Sequence, residues 1–263
     1  MKIITDLSEP ITENSLVLSE CLAALQRIAE NSVDLVLCDL PYSLTALEWD
    51  SLIPLEPLWE QYHRIAKENA AMVFTASQPF TTLLISSNIK YFRYEWIWEK
   101  PQGTNPMAAK YMPLKSHENI LVFYRKPPTY NPQMWRDSPY SGFKSPTKTI
   151  GAAYGNLKSQ HRDNPDGSRY PKTVLQFKQE RGYHPTQKPV PLMEYLIKTY
   201  SNEGETVLDN TMGSGTTGVA AIQCDRKFIG IESDAGYYGI AVKRIIQSEK
   251  EKKMSLDNFF TPN

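Results

Sequence analysis

Six apolar segments are distributed along the chain and are separated by polar or amphipathic sequence. They are SVDLVLC (32–38), AMVFTA (71–76), EWIWEK (95–100), NILVFY (119–124), ETVLDN (205–210) and KFIGIE (227–232). Short continuous apolar runs are typical of strands that are covered on both faces. The intervening sequence places apolar residues at helical spacing, namely Leu22, Leu25 and Ile28, then Val190, Met193, Leu196, Ile197 and Tyr200. This alternation predicts an α/β fold with a mostly parallel sheet.

A chain of 263 residues is long enough for one large hydrophobic core but short for two domains of ordinary size. Residues 125–181 break the alternation, because they are rich in Pro, Gly, Ser, Asn and Tyr and lack sustained periodicity. We therefore expect one domain that carries an insertion. The predicted divisions are a first half at 1–126, the insertion at 127–181, a second half of the same domain at 182–247, and a tail at 248–263.

Charge is segregated along a chain that is neutral overall, with 29 basic and 29 acidic residues. Residues 125–181 contain 11 Lys or Arg against four Asp or Glu, so this segment carries +7 and the remainder −7. Seven aromatic residues are interleaved with these cations. Cations and aromatics together suit contact with nucleic-acid phosphates, sugars and bases, and the predicted contacts are Arg136, Lys144, Lys148 and Lys158. A solvated loop with its own small core is the alternative interpretation.

The cysteines and histidines give no sign of a metal site. Cys21, Cys38 and Cys224 lie far apart without a CxxC pair, which favours reduced thiols. The histidines also lack the spacing of metal ligands, so no metal is assigned. Because no window approaches the roughly 18 apolar residues of a membrane span, we expect a soluble, cytoplasmic protein.

A glycine-rich turn follows one of the predicted strands. The segment VLDNTMGSGTTGVAA (207–221) reads as strand, turn and helix, and Gly213, Gly215 and Gly218 form a GxGxxG pattern. The acid Glu232 closes the next strand, 14 residues after the last of these glycines. Glycines let a ligand lie against bare backbone, and a terminal acid can accept hydrogen bonds from ribose hydroxyls. The pattern favours an adenosine-containing cofactor, although a packed turn remains an alternative.

The acid Asp209, at the end of the strand before the glycines, helps to separate the candidate cofactors. A pyrophosphate would be repelled by this carboxylate, whereas a ligand with an ammonium group would be attracted. A nucleoside triphosphate is disfavoured, because the Lys-Ser/Thr pair that ends a phosphate loop is missing. S-adenosylmethionine, which carries an α-ammonium, a ribose and no phosphate, is therefore favoured over NAD.

The segment CDLPYS (38–43) ends the first apolar run with groups that suit a particular reaction. Alkylating an exocyclic amine on a nucleobase requires acceptors for both N–H groups, because the nitrogen lone pair is delocalised into the ring. The Asp39 carboxylate can accept one N–H and the Leu40 carbonyl the other. Pro41 fixes the backbone, and Tyr42 would stack on an extruded base. An ordinary turn at a strand end is the alternative interpretation.

These motifs resemble those of the β group of amino DNA methyltransferases. DLPY resembles the D-P-P-Y motif of that family, and MGSGTTG resembles its cofactor loop. The order is catalytic motif, variable recognition segment and then cofactor motif, and the similarity extends from about residue 16 to 245. The resemblance implies a Rossmann-like, S-adenosylmethionine-dependent methyltransferase fold with circularly permuted motifs. Residues 1–126 would form its catalytic half, 127–181 its target-recognition insertion and 182–247 its cofactor-binding half.

Cofactor contacts are also implied by the resemblance. They fall on Glu20, Cys21, Asp39, Gln187, Lys188, Asp209, Met212, Gly213, Ser214, Gly215, Thr216 and Glu232. Three positions depart from the family pattern: Leu40 replaces the usual first proline, Glu20 stands where an Asp is usual, and LDNTM replaces D-P-F. Only Asp209 of that last triplet is carried over.

The reaction that the resemblance implies is methylation of adenine N6 in double-stranded DNA by base flipping, as in a restriction–modification system. In this family an Asp-first motif goes mostly with adenine N6 and a Ser-first motif with cytosine N4. A cytosine-N4 enzyme, an RNA methyltransferase and an inactive DNA-binding module are the alternatives. The expected location is the cytoplasm of a prokaryotic or virally infected cell.

The C-terminal segment KKMSLDNFFTPN places Leu256 three residues before Phe259 and Phe260, near a polar chain end. The spacing resembles the peptide by which replication and repair proteins dock on a sliding clamp, although Lys253 stands where that motif usually has Gln. A hydrophobic plug of this kind would tether the enzyme to replicating DNA. The alternative is that the two phenylalanines fold back onto the enzyme's own surface or onto a second subunit of a homodimer.

Overall fold

The computed structural model describes residues 1–42, 51–104, 106–144, 160–183 and 186–260, and for residues 143, 144, 160–162 and 256–260 it describes the backbone alone. The helices in these ranges are α1 (Cys21–Leu25), α2 (Leu55–Ile65), α3 (Phe80–Ser87), α4 (Val190–Tyr200), α5 (Thr216–Gln223) and α6 (Ala235–Phe260). The strands are β1 (Lys2–Ile4), β2 (Ser15–Leu18), β3 (Val33–Cys38), β4 (Ala66–Ala76), β5 (Phe92–Thr104), β6 (Lys115–Phe123), β7 (Trp135–Arg136), β8 (Tyr140–Lys144), β9 (Gln160–Asn164), β10 (Ser168–Arg169), β11 (Val174–Gln176), β12 (Thr206–Asp209) and β13 (Lys227–Glu232).

The main sheet has nine strands within the described ranges, in the order β1-β2-β13-β12-β3-β4-β6-β5-β11. All neighbouring pairs are parallel except the two that β6 makes with β4 and β5. The strand β6 runs in the opposite direction because a short hairpin joins it to β5, whereas parallel neighbours need a crossover. Each of the six apolar segments lies in this sheet, and the predicted α/β fold with a mostly parallel sheet is confirmed.

Helices cover both faces of the sheet and complete its two cores. Alternate residues of β3 point to opposite faces, so Val36 packs in one cluster while Leu35 and Leu37 pack in the other. The first cluster includes buried residues of α1, α2 and α3, and the second includes those of α4, α5 and α6. In α2, Leu58, Tyr62 and Ile65 recur at helical spacing on the buried face.

The carboxyl ends of the parallel strands bring four acidic positions to one edge of the sheet. The strand β12 lies between β3 and β13, and β13 pairs in turn with β2. Asp39 therefore follows β3 beside Asp209 at the end of β12, while Glu232 ends β13 and Glu20 follows β2. Ligands bind at this edge in open α/β sheets, where the strand order reverses.

A second compact unit spans Pro132–Lys172, and the first unit comprises Met1–Asn131 and Thr173–Asn263. The second unit lies inside the insertion predicted at 127–181 and contains two antiparallel pairs, β7 with β10 and β8 with β9. Gly167 adopts a positive φ of 69°, and a Cβ there would lie 1.9 Å from the Asp137 carbonyl oxygen. Glycine is required at this turn for both reasons.

The last helix, α6, includes most of the predicted tail, since its backbone is helical as far as Phe260. The side chains of Leu256, Phe259 and Phe260 lie outside the described residues. In the part of the chain that the structure describes, no helix combines the length and apolar character that crossing a membrane requires.

Candidate active site

The Asp39 carboxylate lies immediately after β3 and is held by three donors. Its Oδ1 accepts hydrogen bonds from the Tyr42 hydroxyl, at 2.7 Å, and from the Thr75 hydroxyl, and its Oδ2 accepts one from the Lys188 ammonium. The hydroxyl of Thr211 also donates to the Asp39 main-chain oxygen, at 3.0 Å. Because a carboxylate offers about four lone-pair sites, Asp39 retains capacity for one further donor.

The rest of the DLPY segment is ordered around this carboxylate. The side chain of Leu40 is buried in the core, and Pro41 and Tyr42 are half-buried. The Tyr42 ring stacks on Phe80, with a centroid separation of 5.2 Å and an interplanar angle of 23°. Burial raises the pKa of the Tyr42 hydroxyl well above its usual value, so it remains a neutral donor to Asp39.

A buried chain of charges connects Asp39 to the β5–β6 pair. Lys188 forms an ion pair with Asp39 and lies 3.5 Å from Glu118 Oε2, while Glu118 Oε1 pairs with Lys100. Burial alone would lower the pKa of Lys188, but the Asp39 and Glu118 carboxylates raise it above its usual value. Burial alone would raise the pKa of Glu118, but Lys188 and Lys100 hold it below its usual value. The network therefore keeps Lys188 and Glu118 charged and mutually compensating.

Sequence reasoning missed Thr75, Lys100 and Glu118. Lys100 and Glu118 are polar residues inside strands, near the carboxyl edge of β5 and the start of β6, and Trp98 pairs with Glu118 across that ladder. A charge inside an otherwise apolar strand was the available signal. The partners of Glu118 could not be identified from the sequence, because Lys188 lies 70 residues away and is brought close only by the fold.

One cavity of about 260 Å³ opens at the ends of β2, β12 and β13. It is lined by Ser19, Glu20, Cys21, Pro41, Ser51, Ile53, Asn210, Thr211, Gly213, Glu232, Ser233 and Tyr237. The Glu232 carboxylate accepts hydrogen bonds from the backbone N–H groups of Gly213 and Asp234, both at 2.8 Å. Burial raises the pKa of Glu232. Burial also raises the pKa of Cys21 to about 11, which keeps its side chain a neutral thiol.

Asn210 contributes an unsatisfied donor to the wall of this cavity. Its Oδ1 accepts hydrogen bonds from the Tyr62 hydroxyl at 2.6 Å and from Cys38 Sγ at 3.0 Å. Its Nδ2 is buried without a partner among the described residues. An unpaired buried N–H group costs about 1–3 kcal/mol, so this amide fits a site that gains an acceptor when its ligand binds. The LDNTM departure hid this residue from sequence reasoning, which carried over only Asp209.

A second cavity, of about 80 Å³, also borders the glycine turn and shares Thr211 and Gly213 with the first. It is lined by Asp39, Thr186, Gln187, Lys188, Met193, Asp209, Thr211, Met212, Gly213, Ser214, Thr216 and Thr217. Most of the residues expected to hold the cofactor therefore line one or both cavities. Gly215 is the exception, since it lines neither cavity and packs instead against Ala241 of α6.

The individual side chains of the turn play different parts. Gly213 has a φ of +51°, with open space where a Cβ would stand, so bare backbone is presented there. Gly215 has a φ of +81°, and a Cβ there would lie 2.9 Å from that of Ala241. The Met212 side chain packs into the core, while Ser214 accepts hydrogen bonds from Arg244, at 2.6 Å to its carbonyl oxygen.

Gln187 and Asp209 differ in how completely they are satisfied. The Gln187 amide accepts a hydrogen bond from the Tyr183 N–H and donates one to Glu180. Asp209 is 2% exposed and accepts a hydrogen bond from the Thr211 N–H at 3.1 Å. Burial, reinforced by the charges of Asp39 and Glu232, raises the pKa of Asp209 to about 7. Since no cation contacts it within the described residues, this carboxylate fits a ligand that brings an ammonium group.

Of the predicted nucleic-acid contacts, Arg136 is exposed on β7 of the second unit. Lys148, Lys158 and the side chain of Lys144 lie outside the described residues. The unit also presents aromatic rings beside cations: the Arg169 guanidinium lies 4.8 Å from the Tyr140 ring, and Lys172 Nζ lies 5.5 Å from the Trp135 ring.

Known proteins match both the sequence and the fold. The family described as DNA methylase, of the N6/N4 type, matches residues 33–243. The Type II methyltransferase M1.MboII of Moraxella bovis is 30% identical, over 82% of this chain and 90% of its own length. The DNA adenine methyltransferase YhdJ of Escherichia coli strain K12 is 29% identical, over 88% of this chain and 82% of its own length.

Two solved structures share the fold at lower identity. The complex of M1.HpyAVI with SAM has a TM-score of 0.59 at 24% identity, covering 86% of this chain and 97% of that one. The cytosine-N4-specific PvuII DNA methyltransferase has a TM-score of 0.65 at 17% identity, covering 93% and 92%. The family match spans most of the chain, including both motifs at the carboxyl edge of the sheet. The chain therefore belongs to the N6/N4 DNA methylase family, as a β-group amino DNA methyltransferase.

Proposed function

We propose that this enzyme transfers the methyl group of S-adenosylmethionine to the N6 amine of adenine in double-stranded DNA. The observation that carries the proposal is the Asp39 carboxylate, which stands at the strand end beside the glycine-turn cavities and retains acceptor capacity. The relative named as a DNA adenine methyltransferase and the Asp-first motif both favour adenine. Cytosine N4 is the second candidate, favoured by the fold shared with the cytosine-N4-specific enzyme.

S-adenosylmethionine is the methyl donor, and the two cavities fit its parts. Glu232, at the end of β13, would accept hydrogen bonds from the ribose hydroxyls, and Glu20 lies in the same cavity. The unpaired Nδ2 of Asn210 offers that end of the cofactor a further donor. Asp209 would pair with the α-ammonium, in the cavity that Gln187 and Lys188 also line. When bound, the cofactor supplies an electrophilic methyl group on a sulfonium.

The residues of the DLPY segment act on the target amine. Asp39 accepts one N–H and the Leu40 carbonyl accepts the other, which directs the nitrogen lone pair out of the ring plane. Methyl transfer to this nitrogen would leave S-adenosylhomocysteine, and the extra proton of the methylated amine would pass to solvent. Because the base must leave the duplex to reach Asp39, Tyr42 and Pro41 would line the pocket that receives it.

The second unit would supply contacts to the DNA duplex. Arg136, Lys144, Lys148 and Lys158 are the proposed phosphate contacts, and the exposed Trp135 and Tyr170 are available for sugars or bases. The charge of +7 on residues 125–181, which include this unit, supports this assignment. We propose that the enzyme works in the cytoplasm of a prokaryotic or virally infected cell, within a restriction–modification system or beside one, because several relatives are named as Type II methyltransferases.

The experiment that tests the proposal is incorporation of labelled methyl from S-adenosylmethionine into separate polymers. Unmethylated duplex DNA, the same sequence as RNA, and protein from the same cells would be incubated with the enzyme. Incorporation into duplex DNA is expected. Incorporation into RNA alone would establish an RNA methyltransferase, and saturable DNA binding without any incorporation would establish an inactive binding module.

Cofactor binding is expected to release a proton below about pH 7. The pKa of Asp209 is raised to about 7 without cofactor, and a bound ammonium lowers it, so affinity falls as the pH decreases through 7. One linked proton gives a slope of at most about tenfold per pH unit. Calorimetry with S-adenosylhomocysteine at several pH values measures this pH dependence of the affinity.

The Asp209→Asn variant should bind more weakly at neutral pH, by about 1.5–3 kcal/mol for a charged hydrogen bond. Its affinity should also depend less steeply on pH. An equally steep dependence in this variant would contradict the assignment.

The C-terminal segment is proposed to dock on a sliding clamp through Leu256, Phe259 and Phe260, with packing against the enzyme's own surface or a homodimer partner as the alternative. A peptide of residues 250–263 would be titrated against the clamp of the host cell. Saturable binding supports docking, and its absence, together with a lower oligomeric state of the Phe259→Ala variant, would support the dimer.

A further inference from the structure

The hairpin that joins β5 to β6 carries large apolar side chains at its exposed end. The exposed fractions are 92% for Met107, 87% for Tyr111, 55% for Met112 and 48% for Leu114. Isolated exposed apolar residues are ordinary, whereas several large ones within one short segment are typical of an interaction surface. We call residues 106–114 the β5–β6 loop, and Asn105, which precedes them, lies outside the described residues.

The exposed group belongs to an organised backbone. Thr104 pairs with Lys115 at the end of the ladder, and the Thr104 hydroxyl donates to the Lys115 carbonyl oxygen at 3.0 Å. The N–H groups of Tyr111 and Met112 both donate to the Ala108 carbonyl oxygen, at 2.9 and 3.0 Å. These bonds fix the turn that presents the apolar side chains, so their exposure is built into the fold.

The base of this loop is connected to Asp39 by direct contacts. Lys100 and Glu118 flank the loop and form an ion pair, Glu118 Oε2 lies 3.5 Å from Lys188 Nζ, and Lys188 pairs with Asp39. The loop also leaves β5 at the carboxyl edge of the sheet, the same edge at which Asp39 follows β3. A duplex that delivers a base to Asp39 must therefore pass within reach of it.

The charge of the loop suits a polyanion. The loop and its flanking residues, 101–116 together, include Lys110 and Lys115 and contain no Asp or Glu. An apolar tip beside lysines matches a duplex whose stack has been opened, because the exposed base faces are apolar and the flanking phosphates are anionic.

We propose that the β5–β6 loop contacts the DNA duplex at the target base pair and stabilises the opened stack. Tyr111 and Met112 lie against the bases left unstacked when the target is extruded, while Lys110 and Lys115 lie near the flanking phosphates. These residues belong to the first unit and are not among the cations assigned to DNA in the second unit. The inference rests on the proposed function and adds a site at which opening of the duplex is assisted.

The test compares two exposed apolar positions at opposite edges of the sheet. The double variant Tyr111→Ser, Met112→Ser changes the loop, and Ile89→Ser is the control, since Ile89 is 65% exposed and precedes the amino end of β5. The kcat/KM for methyl transfer would be measured on an intact duplex containing the mapped recognition sequence. It would also be measured on the same duplex with an abasic site opposite the target, where opening is already favoured.

The double variant is expected to lose at least about tenfold on the intact duplex, because opening a stacked step costs a few kcal/mol, and much less on the abasic duplex. The Ile89→Ser variant should match the wild type on both. An equal loss on both duplexes, or no loss, would overturn the proposal. A lower oligomeric state with unchanged kinetics would show that the loop is instead an interface between copies.

Failure of the proposed function would be distinguishable from failure of this inference. A wild-type product of N4-methylcytosine overturns the adenine assignment and leaves the ratio between the two duplexes as informative as before. If the wild type methylates no duplex, the proposed function falls. Photocrosslinking of a Tyr111→benzoylphenylalanine variant to duplex DNA then decides the inference, since crosslinking supports it and its absence overturns it.

Discussion

Replacing Asp39 with asparagine is expected to reduce the rate of methyl transfer by about 10²–10³-fold, the range seen when one preorganised charge-stabilising group is removed. Asparagine keeps the shape of the side chain but loses the negative charge that stabilises the developing positive charge on the target amine. Affinity for S-adenosylhomocysteine should stay within about tenfold, because the carboxylate mainly serves the amine. Single-turnover transfer and calorimetry measure the two quantities.

A matched control for this variant is Thr75→Val. Valine has nearly the shape of threonine, and the substitution removes one of the three donors to Asp39 without removing its charge. It should lower transfer by far less than Asp39→Asn does. Near wild-type transfer by Asp39→Asn would refute the assigned role, and so would an equal loss in cofactor affinity and in rate.

Replacing Lys188 with methionine is expected to have the largest effect on stability. The ammonium compensates Asp39 and Glu118 in a site where Lys188 is 5% exposed. Removing one partner of a buried pair costs about 3–5 kcal/mol, and the value here should be nearer about 2–3 kcal/mol because the Asp39 side chain is 25% exposed. For a chain of this size that corresponds to a melting temperature lower by roughly 5–10 °C.

The charge-balanced control is the double variant Lys188→Met, Glu118→Gln. In this variant the charges of Asp39 and Lys100 remain and cancel. Its melting temperature should therefore be higher than that of Lys188→Met and closer to that of the wild type. Methyl transfer should not recover with it, because Asp39 still lacks the donor that holds its Oδ2. Equal melting temperatures of the single variant and the wild type would show that the network contributes nothing to stability.

The ion network also predicts an acid sensitivity. Lys188 and Lys100 depress the folded-state pKa of Glu118, so the stability this carboxylate contributes is present above its unfolded pKa. That contribution is lost as the pH falls through the lower, folded value. The Glu118→Gln variant should therefore show a weaker loss of stability in acid than the wild type, in thermal unfolding followed across pH.

The fold was predictable because its signals are local. Each apolar segment, such as SVDLVLC before Asp39, indicates a buried strand by itself. The glycines at 213 and 215 indicate a tight turn, because glycine readily adopts positive φ. The strand order was less accessible, since periodicity in β3 or β12 does not reveal that they are neighbours. The position of β2 beside β13 was not predicted, because no property of residues 15–18 indicates which strand is their neighbour.

The candidate site was predictable where a motif concentrates chemistry in consecutive residues. Asp39 directly follows an apolar strand, and Asp209 and Glu232 each end one, so their meeting at one edge follows from parallel strands. Lys100 and Glu118 were not predictable, because their meaning depends on contacts with Lys188 from a distant segment. The roles of all these residues at bound ligands stay predictions.

Asn210 and the β5–β6 loop illustrate two further limits. Asn210 is a candidate ligand contact because its Nδ2 is buried without a hydrogen-bond partner among the described residues. That absence depends on three-dimensional packing and cannot be read from the sequence. The apolar residues Met107, Tyr111 and Met112 look like core residues in the sequence, and only their exposure identifies a surface. Sequence patterns predict which residues can be buried and leave open which of them remain outside.

The central claim is that Asp39 directs a methyl group to the N6 amine of adenine in duplex DNA. Its most direct test is mass-spectrometric identification of the methylated nucleoside after the enzyme has acted on unmethylated duplex DNA with S-adenosylmethionine, with the Asp39→Asn variant treated in parallel. The expected result is N6-methyldeoxyadenosine as the product of the wild type and little or none from the variant. N4-methyldeoxycytidine as the product, or equal yields of N6-methyldeoxyadenosine from the two proteins, would contradict the claim.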